Sequence, residues 1–570
     1  MELTAVQSWG GTYTDSNRWY IRLLPSLTDL AFLIPAFLIV CILPGAKVLL
    51  ADGDTGWHIR TGEWILQHKA VPMTDLFSFT KPGQSWFAWE WEWDAVFAWI
   101  HQQWGIAGVA FANVVLLCVI SALLYRLIRR VSGNDVLALL FTLIALLGST
   151  IHWLARPHLF SWLFVLVFLH VIVSAGEGKK KALWCLPFLT VAWVNIHGAF
   201  FLGTLFLLLT AAGEAFSAFA DEEHGSLARA RAKAQPYLLC AAGCFLASFV
   251  NPYTWHLHQH ILSYLRDSKL LDDIQEFQSV NFHYGMAVFF ECMLLLGAAS
   301  VAWCARRRKF APVILILVCA HMALVSARNI PIFVFVAAPW VCCMLDSALT
   351  QVGAAARFRK FRDAVAGAYH EFQPIESIGR WHLASLAVVL WMAYLLAQRD
   401  PRLNASFDEK RFPVQVIPVL NARPAAHIFT SDQWGDYLIY RLYPSRRVFV
   451  DGRSDFYGGD FILRCEHILN ARYDWQTELK RFGVDMVLLK PDAPLATVLK
   501  TAPGWKVLFD DGSAIVFCKG LKTEHDAVPS PRLQTEFSPV FRNGGKELGG
   551  LSALQVKNDD SQSITHERRS

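Results

Sequence analysis

Apolar residues run along this chain in long blocks, with little of the strict alternation that marks strands. The first block, about residues 29 to 50, follows a polar stretch. Others lie near 105–128, 134–152, 158–175, 183–196, 198–219, 236–251, 285–304, 310–327, 330–346 and 381–397. Blocks of this kind predict about eleven membrane-spanning helices, several near the lower length limit for a bilayer. No small-residue cleavage site precedes or ends the first block, which predicts an uncleaved first span. The division between Trp193 and Phe201 is the least defined: two helices meeting at His197–Gly198, or one long bent helix.

Basic residues orient these spans. With Arg18 and Arg22 in the cytoplasm, alternate loops bring four further clusters to the same side. They are Arg126 to Arg130, Lys179 to Lys181, the Arg229, Arg231 and Lys233 group, and Arg306 to Lys309. The last inner loop adds Arg357, Arg359, Lys360, Arg362 and Arg380. Positive residues collect on the cytoplasmic side, and a wrong span count would scatter them. The tail after residue 397 then lies outside.

The opposite ends of the spans carry Asp52, Asp54, His58, Glu90, Glu92, Asp94, Arg156, His158, Asn195, His197, Asn251, His256, Glu276 and Arg328. Taken singly, each has a plain structural reading: Arg156 or Arg328 snorkelling to headgroups, His197 in helix packing, the acids after Trp89 on an interfacial helix. Ionisable groups gathered at membrane depth usually mark a site, and topology brings all of these to one face.

Composition agrees with lipid as the solvent. The chain of 570 residues is 54% hydrophobic and 17% charged, against about 25% charged in globular proteins. Its 22 Trp and 40 Phe suit interfacial aromatic belts. A net charge of +5 spread in short clusters gives no reason to expect nucleic acid, and no Gly-rich nucleotide motif follows a strand. The 12 Cys form no CxxC pair and read as small buried hydrophobes. Only Cys465 and Cys518 fall in the polar C-terminal region, where a disulfide is the alternative.

The domain plan is a cytoplasmic N-terminus (1–28), a transmembrane domain (29–397), a linker (398–425), an α/β domain (426–520) and a disordered tail (521–570). The first outer loop, 51–104, predicts a helix over 57–68 whose Trp57, Trp64 and Ile65 lie in the membrane interface. In the α/β domain, strands are expected at 427–430, 447–451, 484–489, 505–510 and 513–518. Helices are expected near 434–442, 458–470, 474–482 and 494–501, with partly parallel strand pairing. Asp451–Gly452–Arg453 reads as a tight turn with a surface ion pair.

The acidic pair just past the first span, in a long outer loop with interfacial helices, resembles the GT-C superfamily of integral membrane glycosyltransferases. The matching pieces are Asp52–Gly53–Asp54–Thr55–Gly56–Trp57–His58, Trp193–Val194–Asn195–Ile196–His197–Gly198, Asn251–Pro252–Tyr253, Glu276–Phe277–Gln278 and Ser326–Ala327–Arg328–Asn329. They resemble bacterial members with mannosyl- or arabinosyltransferase-like character.

The resemblance implies transfer of a sugar from a polyprenyl-phosphate carrier to a lipid, glycan or protein acceptor, with inversion, at the outer face of a bacterial-type inner membrane. By family position, Asp52 or Asp54 takes the acceptor proton. Arg156, His158 and Arg328 are candidates for holding the lipid phosphate, with His58, Glu90, Asn195, His197, Asn251 and Glu276 in support. A divalent cation, Mg²⁺ or Mn²⁺, on Asp52, Asp54 and Glu276 is left open by the resemblance. His256, His258 and His260 lack an HExxH pattern and read as an interfacial helix. The competing readings are a transporter or lipid-handling carrier, whose charged site would sit near the midplane, and an inactive scaffold of the same fold.

Overall fold

Ser26 starts the first helix with a reciprocal cap. Its hydroxyl accepts the Asp29 N–H at 3.1 Å, and the Asp29 carboxylate accepts the Ser26 N–H at 2.9 Å. The computed structural model describes residues 20–221, 226–351 and 379–520, together with Gly367 and Glu376. The expected disordered tail (521–570), most of the N-terminus and Arg357 to Arg362 lie outside the described residues.

The helices are α1 (Leu27–Phe37), α2 (Asp54–His68), α3 (Trp91–Ser132), α4 (Asp135–Ser149), α5 (His158–Gly176), α6 (Leu186–Ile196) and α7 (Phe201–Phe219). Then follow α8 (Leu227–Ala247), α9 (Trp255–Tyr264), α10 (Ser268–Asp273), α11 (Ala287–Arg306), α12 (Phe310–Val325), α13 (Ile330–Gln351) and α14 (Leu383–Ala397). Seven stretches among the described residues are long and apolar enough to cross a membrane: Tyr20–Ile42, Trp91–Ser132, Asp135–His152, His158–Gly176, Gly198–Phe219, Ala287–Arg306 and Ala327–Leu349. The remaining predicted blocks are also helical, as α6, α8, α12 and α14. The doubtful division resolves into two helices, because His197 is extended (φ −160°, ψ 143°) and ends α6.

Two parts of the 51–104 segment depart from the expected plan. Gly105, at φ +65°, kinks α3, so the aromatic stretch from Trp91 and the span beyond it form one bent helix. Helix α2 starts three residues earlier than predicted, and protein covers much of the face expected to meet lipid. Trp57 and Ile65 are buried in protein, and Gly62 lies so close to α3 that a Cβ there would fall 1.9 Å from the Asp94 carbonyl oxygen.

The basic ends meet one another. Arg130 of α3 pairs with Glu177 beyond α5 at 3.0 Å, Arg307 beyond α11 reaches Ser347 of α13 at 3.0 Å, and Arg308 donates to the Ala220 carbonyl beyond α7 at 3.2 Å. The basic clusters around Arg130 and Arg307 therefore lie at the same end of the helical bundle.

The C-terminal domain holds a four-stranded mixed sheet, order β1-β2-β4-β3. Strand β1 (Ile428–Phe429) runs parallel to β2 (Met486–Leu489), while β4 (Ile515–Lys519) is antiparallel to both β2 and β3 (Trp505–Asp510). The expected strand over 447–451 is not part of the sheet. Its Val448, Phe449 and Val450 are buried as the pattern requires, but its backbone pairs with the first outer loop: Val448 N–H donates to Phe77 O at 2.8 Å and Phe79 N–H to Val448 O at 3.0 Å. The stretch expected as a linker is packed too, with Leu403, Phe412, Val416 and Leu420 buried in the main core. Cys465 and Cys518 are both buried, and no disulfide joins them.

Candidate functional site

The acidic pair is set by the way the chain enters α2. Ala155 N–H donates to the Leu49 carbonyl at 2.8 Å, and the Thr55 hydroxyl donates to the Ala155 carbonyl at 3.0 Å. This pins the start of the outer loop against the turn between α4 and α5. Asp52 Oδ1 accepts the Asp54 N–H at 2.8 Å, closing a short turn. Asp54 then becomes the first residue of α2, where the helix dipole favours a carboxylate.

Arg156 projects from the facing turn and forks between the two acids. Its Nη1 lies 2.8 Å from Asp52 Oδ2 and its Nη2 2.7 Å from Asp54 Oδ2. Nη1 is also 3.7 Å from Glu276, whose other oxygen pairs with Arg328 at 3.0 Å. Arg328 Nη2 approaches His197 Nε2 at 3.4 Å. His197 in turn lies 3.5 Å from Glu90, whose second oxygen is 3.5 Å from His58 Nε2. His58 Nδ1 closes on Asp94 at 2.6 Å. A continuous polar network thus joins Asp52, Asp54, Arg156, Glu276, Arg328, His197, Glu90 and His58, from segments spread along the whole helical region.

The electrostatics divide the network in two. Burial pushes Asp54 up to about 8, with Arg156 opposing the rise and Asp52 adding to it. Burial likewise raises Glu90 to about 8, and holds His58 well below its ordinary value, so this pair is neutral near pH 7. Burial also works against ionising Glu276, but Arg328 and Arg156 outweigh it and bring Glu276 down to about 2.

Three expected residues stand apart. His158 is buried and bonds through Nε2 to the His152 carbonyl at 2.9 Å. Asn195 accepts from Trp91 Nε1 at 2.8 Å and donates to the carbonyls of Val191 and Val250. Asn251 donates to the carbonyls of Ser248 and Thr254. All three complete backbone or packing interactions at the ends of helices. On α9, His260 pairs with Asp455 at 3.0 Å and His258 bonds to Ser248 at 2.8 Å, so neighbouring elements take up two of the three His side chains.

The C-terminal domain contributes a group that sequence reading missed. Asp436, on α15 (Asp432–Leu442), accepts the Gly452 N–H at 2.7 Å. A Cβ at Gly452 would fall 2.1 Å from Asp54 Oδ1 and 2.9 Å from Asp436 Oδ2, so only glycine fits between the two acids. Among the described residues neither of these two buried oxygens has a hydrogen-bond donor. Burial, with the charges of Asp54 and Asp451, raises Asp436 accordingly. The ion pair beside this turn is not on the surface. Arg453 is fully buried, 2.7 Å from both Asp451 and Asp75.

A divalent cation among Asp52, Asp54 and Glu276 would need oxygens about 2.1 Å from one point. Here those oxygens converge on the Arg156 guanidinium instead, at 2.7 to 3.7 Å. Among the described residues no group of three His, Cys, Asp or Glu side chains is placed to hold a metal ion.

No protein-family model and no curated protein matches this chain. Solved structures do. The crystal structure of the Archaeoglobus fulgidus oligosaccharyltransferase tethered with an acceptor peptide containing the NVT sequon matches with a TM-score of 0.54 and 12% identity, over 89% of this chain and 74% of that one. Its apo form matches at 0.51 and 12%, over 88% and 75%. The archaeal oligosaccharyltransferase AglB from the same organism, in complex with an inhibitory peptide and a dolichol-phosphate, matches at 0.50 and 12%, over 90% and 75%. At this identity the likeness is one of architecture, and that architecture is the GT-C fold.

Proposed function

We propose that this chain is a membrane glycosyltransferase that moves a sugar from a polyprenyl-phosphate donor to an acceptor at the outer face of the inner membrane. One observation carries the reading: within a GT-C fold, the two acids after the first span meet two arginines in a single network at one end of the helical bundle. A transporter would be expected to hold its charges halfway along the bundle between two gates. The described neighbours include complexes with a dolichol-phosphate and with an acceptor peptide. These support a polyprenyl-type carrier, and favour a protein among the lipid, glycan and protein acceptors. The bilayer is crossed about eleven times, with the N-terminus cytoplasmic and the C-terminal domain periplasmic.

In the reaction, the acceptor hydroxyl oxygen attacks the anomeric carbon from the face opposite the phosphate. The bond from that carbon to the phosphate oxygen breaks, and the phosphate leaves with the electron pair. Because phosphate is a stable anion, no second acid is required to protonate it, in contrast to glycoside hydrolysis. Asp54 takes the proton, aided by Asp52, whose carboxylate fixes the turn that presents it. Arg328, with 26% of its side chain exposed, meets the lipid phosphate. Arg156 holds the acids, while Glu90, His58 and His197 line the adjoining neutral part.

The test is incubation of the purified protein with defined polyprenyl-phosphate sugars and candidate acceptors, followed by mass spectrometry. A sugar-sized mass gain on one acceptor, absent with Asp54→Asn, is the expected result. No product from the parent chain with any donor that it binds would leave a scaffold of the same fold.

A further inference from the structure

We infer that Arg156 is the resident cation of this centre, its guanidinium standing where a divalent metal ion would otherwise neutralise Asp52, Asp54 and Glu276. The inference rests on reading the cluster as the transfer centre, but its test reads cation binding and needs no turnover.

The donor set is one a hard cation would take: three carboxylates, from the outer loop and from the stretch beyond α10. What fills it is a side chain. The two nitrogens of the guanidinium fork meet Asp52 and Asp54 at 2.8 and 2.7 Å, each at charge-assisted hydrogen-bond distance. Each acid thus already has a cationic donor on the oxygen it would offer to a metal ion. Arg156 has little freedom to leave. Its own N–H donates to the Leu154 carbonyl at 2.9 Å, and the neighbouring Ala155 is tied to both Leu49 and Thr55. Its side chain is 16% exposed. Charge gives a second reason. With Arg328 already on Glu276 at 3.0 Å, the acids Asp52, Asp54 and Glu276 face two permanent cations. A dication would have to enter against both guanidinium charges.

The experiment is a Mn²⁺ titration of the detergent-purified full chain, followed by electron paramagnetic resonance of the free ion, with thermal unfolding in parallel. The parent chain is expected to show no saturable Mn²⁺ binding and an unfolding midpoint unmoved by EDTA. Arg156→Lys keeps a cation in place and is expected to match it. Arg156→Gln removes the charge while retaining a polar side chain. It is expected to gain one Mn²⁺ site, at least about tenfold tighter than any binding by the parent, that is lost again in Arg156→Gln/Asp52→Asn. Stoichiometric binding by the parent chain that disappears with Asp52→Asn overturns the inference, and this arm stands whether or not Arg156→Gln folds. Failure of the transfer assay alone would strike the functional reading and leave the cation assignment untouched.

Discussion

Asp54 sits between two opposed influences, and its proton is where they can be measured. Burial and the adjacent acids raise it to about 8, while Arg156 pulls the other way. A general base must first lose its proton, so transfer is expected to climb as pH rises through about 8 and level off above. Asp54→Asn, or Asp52→Asn, should fold normally, and at least one of them should lose transfer by roughly a hundred- to ten-thousand-fold. Glu90 titrates in the same window, so Glu90→Gln is the control. A pH limb that survives in Glu90→Gln belongs to Asp54, and a limb that vanishes there does not. Glu276 makes the opposite case. Arg328 and Arg156 hold it at about 2 against its own burial, below the value of about 4.3 expected unfolded. A carboxylate depressed on folding stabilises the protein above its unfolded value, and that contribution fades as pH falls toward its folded one. Glu276→Gln should therefore cost up to about 3 kcal/mol at pH 6. The gap to the parent in thermal or denaturant unfolding should close between pH 4.5 and 2. A gap that stays constant over that range would mean Glu276 is not the ionised partner of the two arginines.

At the level of elements, α2 is the piece on which everything turns, since it presents Asp54 and His58 together. Its existence was legible in the sequence from the spacing of Trp57, Trp64 and Ile65, but its setting was not. Amphipathicity says which face is apolar and nothing about whether lipid or protein covers it. Glycines carried the missing signal. Gly62 admits α3 so closely that a methyl group would collide with the Asp94 carbonyl. Gly62→Ala is accordingly expected to cost about 1 to 3 kcal/mol through overpacking. It should also lower turnover per folded molecule, because α2 must move and take Asp54 away from Arg156. Full specific activity in Gly62→Ala, with only a lower unfolding midpoint, would show that the site tolerates displacement of α2. The stretch over 447–451 repeats the lesson. Its buried Val448, Phe449 and Val450 read correctly as a strand-like apolar run, yet the partner is Ser78 of the outer loop. Pattern fixes burial, while hydrogen-bond partners distant in sequence are chosen by docking. Asp436 was invisible for the same reason. Nothing local to α15 indicates that it will face Asp54. His158 and Asn195 stand at the same end of the bundle as the acids, but their side chains turn toward backbone carbonyls, a direction that topology does not decide.

Over the whole molecule the outer loop and the C-terminal domain are one assembly. Arg453 bridges Asp75 of the loop and Asp451 of the domain, all three inaccessible to solvent, and Lys81 Nζ donates to the Tyr457 carbonyl at 2.8 Å. Leaving either acid without Arg453 would strand a buried charge, at about 3 to 5 kcal/mol, so the two segments are held to the same end of the bundle. The basic clusters around Arg130 and Arg307 occupy the other end, through contacts such as Arg130 with Glu177 and Arg307 with Ser347. Lysine and arginine accumulate on the cytoplasmic side of membrane proteins, which predicts that this basic end meets the cytoplasm, and two cysteines can check it. Tyr473, on the C-terminal domain, is 99% exposed, and Lys180 lies in an exposed basic turn. The parent for both variants has its exposed Cys41, Cys185 and Cys292 replaced by Ala. Tyr473→Cys is expected to react with a membrane-impermeant maleimide once the outer envelope is breached, and Lys180→Cys only after the inner membrane is opened. The reverse order would preserve the two-ended architecture but turn the acids toward the cytoplasm, which removes the outer-face reaction. Reaction of both from the same side is the more damaging outcome. The ends that packing separates would then not be separated by a bilayer, and the network joining Asp54 to Arg328 would no longer sit where a lipid-borne phosphate could reach it.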